Sequence, residues 1–180
     1  MSLEHKAFVF DFYRFRGELK PILESSLRSG DTHSLFEFIV ANKDILVDPY
    51  QGEALDESWE DMIEERDAHQ YGDFALTKYY SPLEDQGLGV EWEGLQELMP
   101  HSANVSFSPF LGAPIVVGEE IFDPGKMGAY FQSESEVVES LSVLTAFESV
   151  VPKNYIDGFV RFKCLLERAI DEGRGIYITF

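Results

Sequence analysis

Residues 152–180 read PKNYIDGFVRFKCLLERAIDEGRGIYITF, and the two parts of this stretch ask for different secondary structure. Tyr155, Ile156, Phe159, Phe162, Leu166 and Ile170 recur at helical spacing, so a last helix is expected to start at Pro152, whose missing N–H costs nothing there, and to end at Gly173. After Arg174-Gly175, the run Ile176-Tyr177-Ile178-Thr179-Phe180 is β-branched and aromatic and reads as a terminal strand.

Working back from this helix and strand, Ser133 with Glu136 three residues on is a capping box that opens a helix through Val137, Val138, Leu141, Leu144 and Phe147. Before it, residues 105–130 change character. Short β-branched or aromatic pieces at 105–107, 115–117 and 120–122 are divided by Gly112, Pro114, Gly118, Pro124, Gly125 and Gly128, which predicts a loop-rich, partly extended segment. Residues 92–99 suggest a short helix stopped by Pro100, and residues 74–80, FALTKYY, fit helix or strand and end at Ser81-Pro82. Asp48-Pro49-Tyr50-Gln51-Gly52 is turn chemistry. Near the start, AFVFDFYRFRGELK (7–20) opens as an aromatic run suited to a buried strand. Leu19, Ile22, Leu23 and Leu27 then follow at helical spacing, with a fresh helix expected at Pro21 and a stop at Gly30. Asp31 is placed to cap the next helix, carrying Leu35, Phe36, Phe38 and Ile39 and closing near Asn42. No repeat, low-complexity tract or linker divides the chain. The expected fold is therefore a single helix-rich α+β domain over residues 1–180, with a small sheet formed by short strands of the 105–122 region and the C-terminal strand.

The 180 residues are 44% hydrophobic and 26% charged, enough apolar material for a core of their own. Acids outnumber bases 33 to 14, a net charge of −19 with histidine neutral, which argues against nucleic acid and against an anionic membrane surface as partners. A single cysteine, Cys164, cannot form an internal disulfide, and no stretch near the start pairs a basic region with a long apolar run, so a cytoplasmic address is expected.

The charge is concentrated. Residues 51–100 hold 14 acids against 2 bases and residues 101–150 hold 7 against 1, so −18 of the −19 falls in this middle portion. Aromatic residues, 14% of the chain, are too plentiful for a solvating tail, so the acids are expected on the surface of a folded body. Within that portion Asp56 can cap a helix running to about Asp67, with Trp59, Met62, Ile63 and Arg66 on one face and Glu57, Glu60, Asp61 and Glu64 on the other. Like charges four apart on a helix each cost roughly 0.2–0.5 kcal/mol, and Glu64 and Glu65 would sit at the negative end of its dipole. Such a face suits a basic partner, its plain alternative being a solvated surface that keeps the chain soluble. Trp59 is expected in the core, and so is Trp92 unless, flanked by Glu91 and Glu93, it stands out as an aromatic anchor.

Other chemistries find less support. Asp67-x-His69 offers metal-ligand types, but without an EF-hand loop, a His-Glu-x-x-His run or a cysteine pair no metal and no cofactor is assigned. Gly112, Gly118, Gly125 and Gly128 match neither a dinucleotide fingerprint nor a P-loop. No Gly-x-Ser-x-Gly elbow exists, and Ser106 and Ser108 are expected to pack or turn. Cys164, between Phe162 and Leu165-Leu166, is expected as a partly buried, inert thiol, and His5, His33, His69 and His101 as surface or cap residues.

Three features taken in order resemble a known family: Leu55-Asp56-x-x-Trp59; the turn-and-strand pieces Leu111-Gly112-Ala113-Pro114, Gly118-Glu119-Glu120-Ile121 and Gly128-Ala129-Tyr130-Phe131 leading into the capped helix; and the ending Glu172-Gly173-Arg174-Gly175-Ile176-Tyr177-Ile178. Over residues 31–180 this is similar to the YfbM-like domain of unknown function, small bacterial proteins of α+β fold. The chain departs from it in lacking an arginine within residues 127–131 and a histidine soon after Trp59. The resemblance implies a fold and no catalytic residues.

The functional expectation is a non-enzymatic acidic module that binds a basic protein, for instance an immunity protein or inhibitor covering a toxin nuclease site. The alternative is a small hydrolase or metal-assisted enzyme with a carboxylate-lined cleft, for which 33 acids nominate no particular pair. The oligomeric state is left open.

Overall fold

The computed structural model describes residues 3–99, 107–125 and 127–180. Its centre is the terminal strand. β6 (Gly175–Thr179) pairs antiparallel on one side with β1 (Lys6–Phe10) and on the other with β5 (Ala129–Gln132), which in turn pairs with β2 (Ala113–Pro114). Every residue of β6 is buried, because helices cover both faces of the sheet. The period of two sorts the side chains: Phe8, Phe10, Phe131 and Tyr177 point into one core, while Ala7, Val9, Ile176 and Ile178 point into another.

The first core is closed by α1 (Phe12–Glu18), α2 (Lys20–Ser29), α3 (His33–Asn42) and α4 (Ala68–Leu76). The second is closed by α5 (Trp92–Leu98), α6 (Glu134–Phe147) and α7 (Ile156–Asp171). The class is α+β, and the sheet holds both the terminal strand and a strand of the 105–122 region, as expected. It also holds β5, whose four residues follow a glycine-rich turn and include a buried Gln132 tied to the Pro109 carbonyl (3.0 Å) and the Ser140 hydroxyl (2.7 Å). β3 (Val116–Val117) and β4 (Glu120–Ile121) form a separate hairpin. Residues 105 and 106 of the expected 105–107 strand, Pro100 and His101 lie outside the described residues.

Several boundaries follow local chemistry. α2 is a fresh helix with Pro21 in its first turn, ended by left-handed Gly30. α3 starts one residue later than expected, at an N-cap of Thr32, although Asp31 still accepts the His33 N–H at 2.9 Å. α4 is buried nearly all round, which erases the amphipathic period and explains why residues 74–80 read ambiguously. α7 begins after Tyr155 rather than at Pro152, whose carbonyl instead takes the Tyr155 N–H in a turn. Cys164 is exposed, not partly buried: α7 turns Phe159, Phe162, Leu165, Leu166 and Ala169 to the core, and Cys164 falls on the outer side.

The capping box of α6 is complete, with Ser133 N–H donating to Glu136 Oε2 at 2.7 Å and the Ser133 side chain accepting the Glu136 N–H. Ser133→Ala is expected to lower the unfolding free energy by about 1 kcal/mol, checked as a shift of the urea midpoint at constant slope.

Candidate functional site

The expected helix over residues 56–67 does not form. Trp59–Met62 makes one 3-10 turn, Ile63 is extended, and Asp67 begins α4 as its N-cap by accepting the His69 (3.0 Å) and Gln70 (2.9 Å) N–H groups. Local bonds compete with a continuous helix at both ends: Asp56 accepts the Ser58 N–H at 2.8 Å, and the Glu64 N–H goes to the Gln70 side chain at 2.9 Å. Repulsion among the acids and the wrong-signed end of a dipole oppose that helix further. Trp59 and Ile63 are buried against α3 and α4, with Trp59 packed on Phe36, Tyr71 and Phe74, whereas Met62 and Arg66 are exposed.

The four carboxylates therefore share no helix face. Glu57 pairs with Lys43 beyond the end of α3, and the half-buried Glu60 accepts the Tyr71 hydroxyl at 3.0 Å. Asp61 and Glu64 are exposed. A second acidic segment is brought alongside: His69 stacks on Phe122 (6.1 Å between centroids) and its Nδ1 accepts the Asp123 N–H at 3.1 Å. The stretch holding Glu119, Glu120 and Asp123 is thereby fastened at Phe122 and Asp123 to His69 in the first turn of α4. Sequence reading missed this junction because residues 69 and 122 are far apart in the chain.

Trp92 lies elsewhere. It packs in the second core against Phe180 (4.9 Å) and His5 (6.2 Å), and its indole N–H donates to the Leu3 carbonyl at 3.2 Å. The sheet separates it from the 57–64 segment, and its half-buried, hydrogen-bonded ring is not presented as a free anchor.

Arg14, Arg168 and Arg174 of the two chain ends line, with Lys78 of the middle portion, a polar cleft of about 290 Å³. Each meets an acid there. Glu18 takes Arg14 at 3.1 Å and Lys78 at 2.8 Å, and Arg168 takes Glu84 at 2.9 Å and Glu172 at 2.8 Å. The Lys78 ammonium, with help from Arg14 and the Tyr79 hydroxyl, holds the Glu18 carboxyl below its usual range despite some burial. Among the described residues, ion pairs with Lys or Arg engage Glu57, Glu84 and Glu148 of the middle portion, the last through Lys163 at 2.6 Å.

A further feature near Tyr50 is Asp73, a buried acid within α4. Burial first, and then its negative charge, raise the pKa of Tyr50 and Tyr177, and for Tyr80 burial and Tyr177 precede it. One acid inside an apolar, aromatic run was its sequence signal. Among the described residues no three His, Cys, Asp or Glu side chains are grouped to hold a metal ion, and no helix is long and apolar enough to cross a membrane.

No family model, no curated protein and no solved structure matches the chain.

Proposed function

We propose that the chain is an acidic binding module, not an enzyme, whose carboxylates cover a basic surface of another protein in the manner of an immunity protein or inhibitor of a toxin nuclease. The observation that carries this reading is the division of labour among charges. Among the described residues, Arg14, Lys20 and Arg174 of the chain ends pair with acids of the ends themselves, Lys43, Arg168 and Lys163 reach Glu57, Glu84 and Glu148, and residues 51–150 hold −18 of net charge. The fastening of Phe122 and Asp123 to His69 supports the same reading, because it holds the acidic 119–123 segment against the start of α4. Negative potential held on a folded surface steers a basic partner and excludes competitors of the same sign.

The test is kinetic. Association with a basic partner, such as a toxin nuclease encoded beside this chain, is expected to slow by about 10- to 1,000-fold as salt rises through the physiological range. Asp61→Lys combined with Glu64→Lys, both at exposed positions, is expected to reproduce much of that slowing at low salt. A partner bound equally well at every ionic strength, or association unaffected by the double reversal, overturns the proposal.

A further inference from the structure

Residues 45–53 and 80–85 carry an apolar patch that neither core absorbs: Ile45 is 59% exposed, Tyr50 61% and Leu83 72%. The two loops hold one another rigidly. The Leu83 side chain rests on Gly52, whose φ is 71° and where a Cβ would come within 2.7 Å of Leu83 Cγ. The buried Asp48 carboxylate accepts the Tyr50 N–H at 2.8 Å and the Gln51 N–H at 3.2 Å, so the loop that presents Tyr50 is ordered before anything binds. Two small clefts, about 170 and 90 Å³, open on either side of Tyr80 and Pro82, one toward Ile45 and Leu83, the other toward Tyr50 and Lys6. Exposed Asp44, Glu53 and Asp85 stand in the same two loops or next to them, while Glu84 is held by Arg168 toward the neighbouring cleft and Lys6 lines the smaller one.

We propose that this patch is the anchor on which the basic protein partner docks, an inference that rests on the reading of the chain as a binder of basic proteins. An aliphatic side chain of the partner covers Ile45 and Leu83, and its neighbouring Lys or Arg residues meet the surrounding carboxylates. Exposed apolar groups flanked by Asp44, Glu53 and Asp85 select against a purely apolar partner, which leaves those acids desolvated, and against an acidic one, which they repel. The carboxylates around α4 then act at longer range, drawing the partner in, and the patch sets how long it stays.

The probe is a blocked peptide of alternating leucine and arginine, titrated into the 15N-labelled protein at low ionic strength, with a serine-arginine peptide as control. Expected are shift changes concentrated in residues 45–53 and 80–85, with affinity reduced about tenfold by Leu83→Asp, by Ile45→Ser and by replacing leucine with serine in the peptide. Both protein positions are exposed, and an unchanged circular dichroism spectrum confirms that each variant folds. Shifts confined to residues 57–67 and 119–123, with full affinity in Leu83→Asp, overturn the anchor and leave the basic-partner reading standing. No shift at all overturns the anchor, and the salt experiment with the double charge reversal decides the broader reading separately. Sedimentation that shows a dimer abolished by Leu83→Asp also overturns it, since a second copy then covers the patch.

Discussion

Phe10→Ala is expected to cost about 3–5 kcal/mol of unfolding free energy, a large share of the roughly 5–15 kcal/mol typical of a folded domain. Phe10 is fully buried on β1, where the sheet meets the first helical layer. Its ring packs against Phe15 (5.2 Å), Phe131 (5.4 Å), Tyr177 (5.8 Å) and Tyr79 (5.9 Å), side chains contributed by α1, two other strands and the segment after α4. Truncation removes the ring's burial and leaves a cavity whose walls are held by strand pairing and by one another, so they cannot close it. Tyr13→Ala, exposed in the adjoining helix, is the control and is expected within about 0.5 kcal/mol of wild type. Equal urea midpoints for the two variants would show that the aromatic layer is not the centre of stability.

His5 carries the second large effect. Expected as a surface or cap residue, it is fully buried, because the chain bridges back at Gly89 and Phe110 closes over it. Nδ1 accepts the Leu88 N–H at 3.1 Å, so the ring proton sits on Nε2, which donates to the Phe110 carbonyl at 2.6 Å. Burial holds the pKa below the ordinary 6.5, outweighing the Phe110 carbonyl and the Asp85 charge, which act in the opposite direction. The sign follows. The unfolded chain takes up the proton first, so this contribution is whole above pH 6.5 and is lost as pH falls below it toward the folded-state value.

His5→Ala strands a buried N–H and a buried C=O, each at about 1–3 kcal/mol, and opens a cavity besides. The loss of stability between about pH 7.5 and pH 5.5 is expected to shrink in the variant, as urea unfolding at both values would report. A slope that survives intact in the variant would assign the dependence to other groups. Gly87 belongs to the same knot, since a Cβ there would fall 2.1 Å from the His5 carbonyl oxygen.

Where periodicity is long or capping is explicit, the chain was legible: the Ser133 capping box, the helical face of α7 and the run Ile176 to Thr179 all stand where the pattern put them. Residues 56–67 show the limit of that reading. Trp59 kept its expected burial and Ile63 joined it while Met62 of the same expected face is exposed, and the helical spacing around them did not become a helix once Asp56, Gln70 and the Asp67 cap offered the backbone other partners. β5 was legible in part, within the turn-and-strand piece Gly128-Ala129-Tyr130-Phe131, but was too short to show a period and is held by Gln132 through partners from outside the strand.

The amino-acid sequence alone determined the class of fold, the placement of −18 charges in the middle portion, and the apolar faces that close each core. Only the tertiary structure decided which charges face one another. Spacing along a chain governs neighbours a few residues apart, whereas Coulomb interactions and burial depend on distance in space. The pairing of β1 with β6, the stacking of His69 on Phe122 and the contact of Leu83 with Gly52 set those distances between residues the sequence keeps far apart.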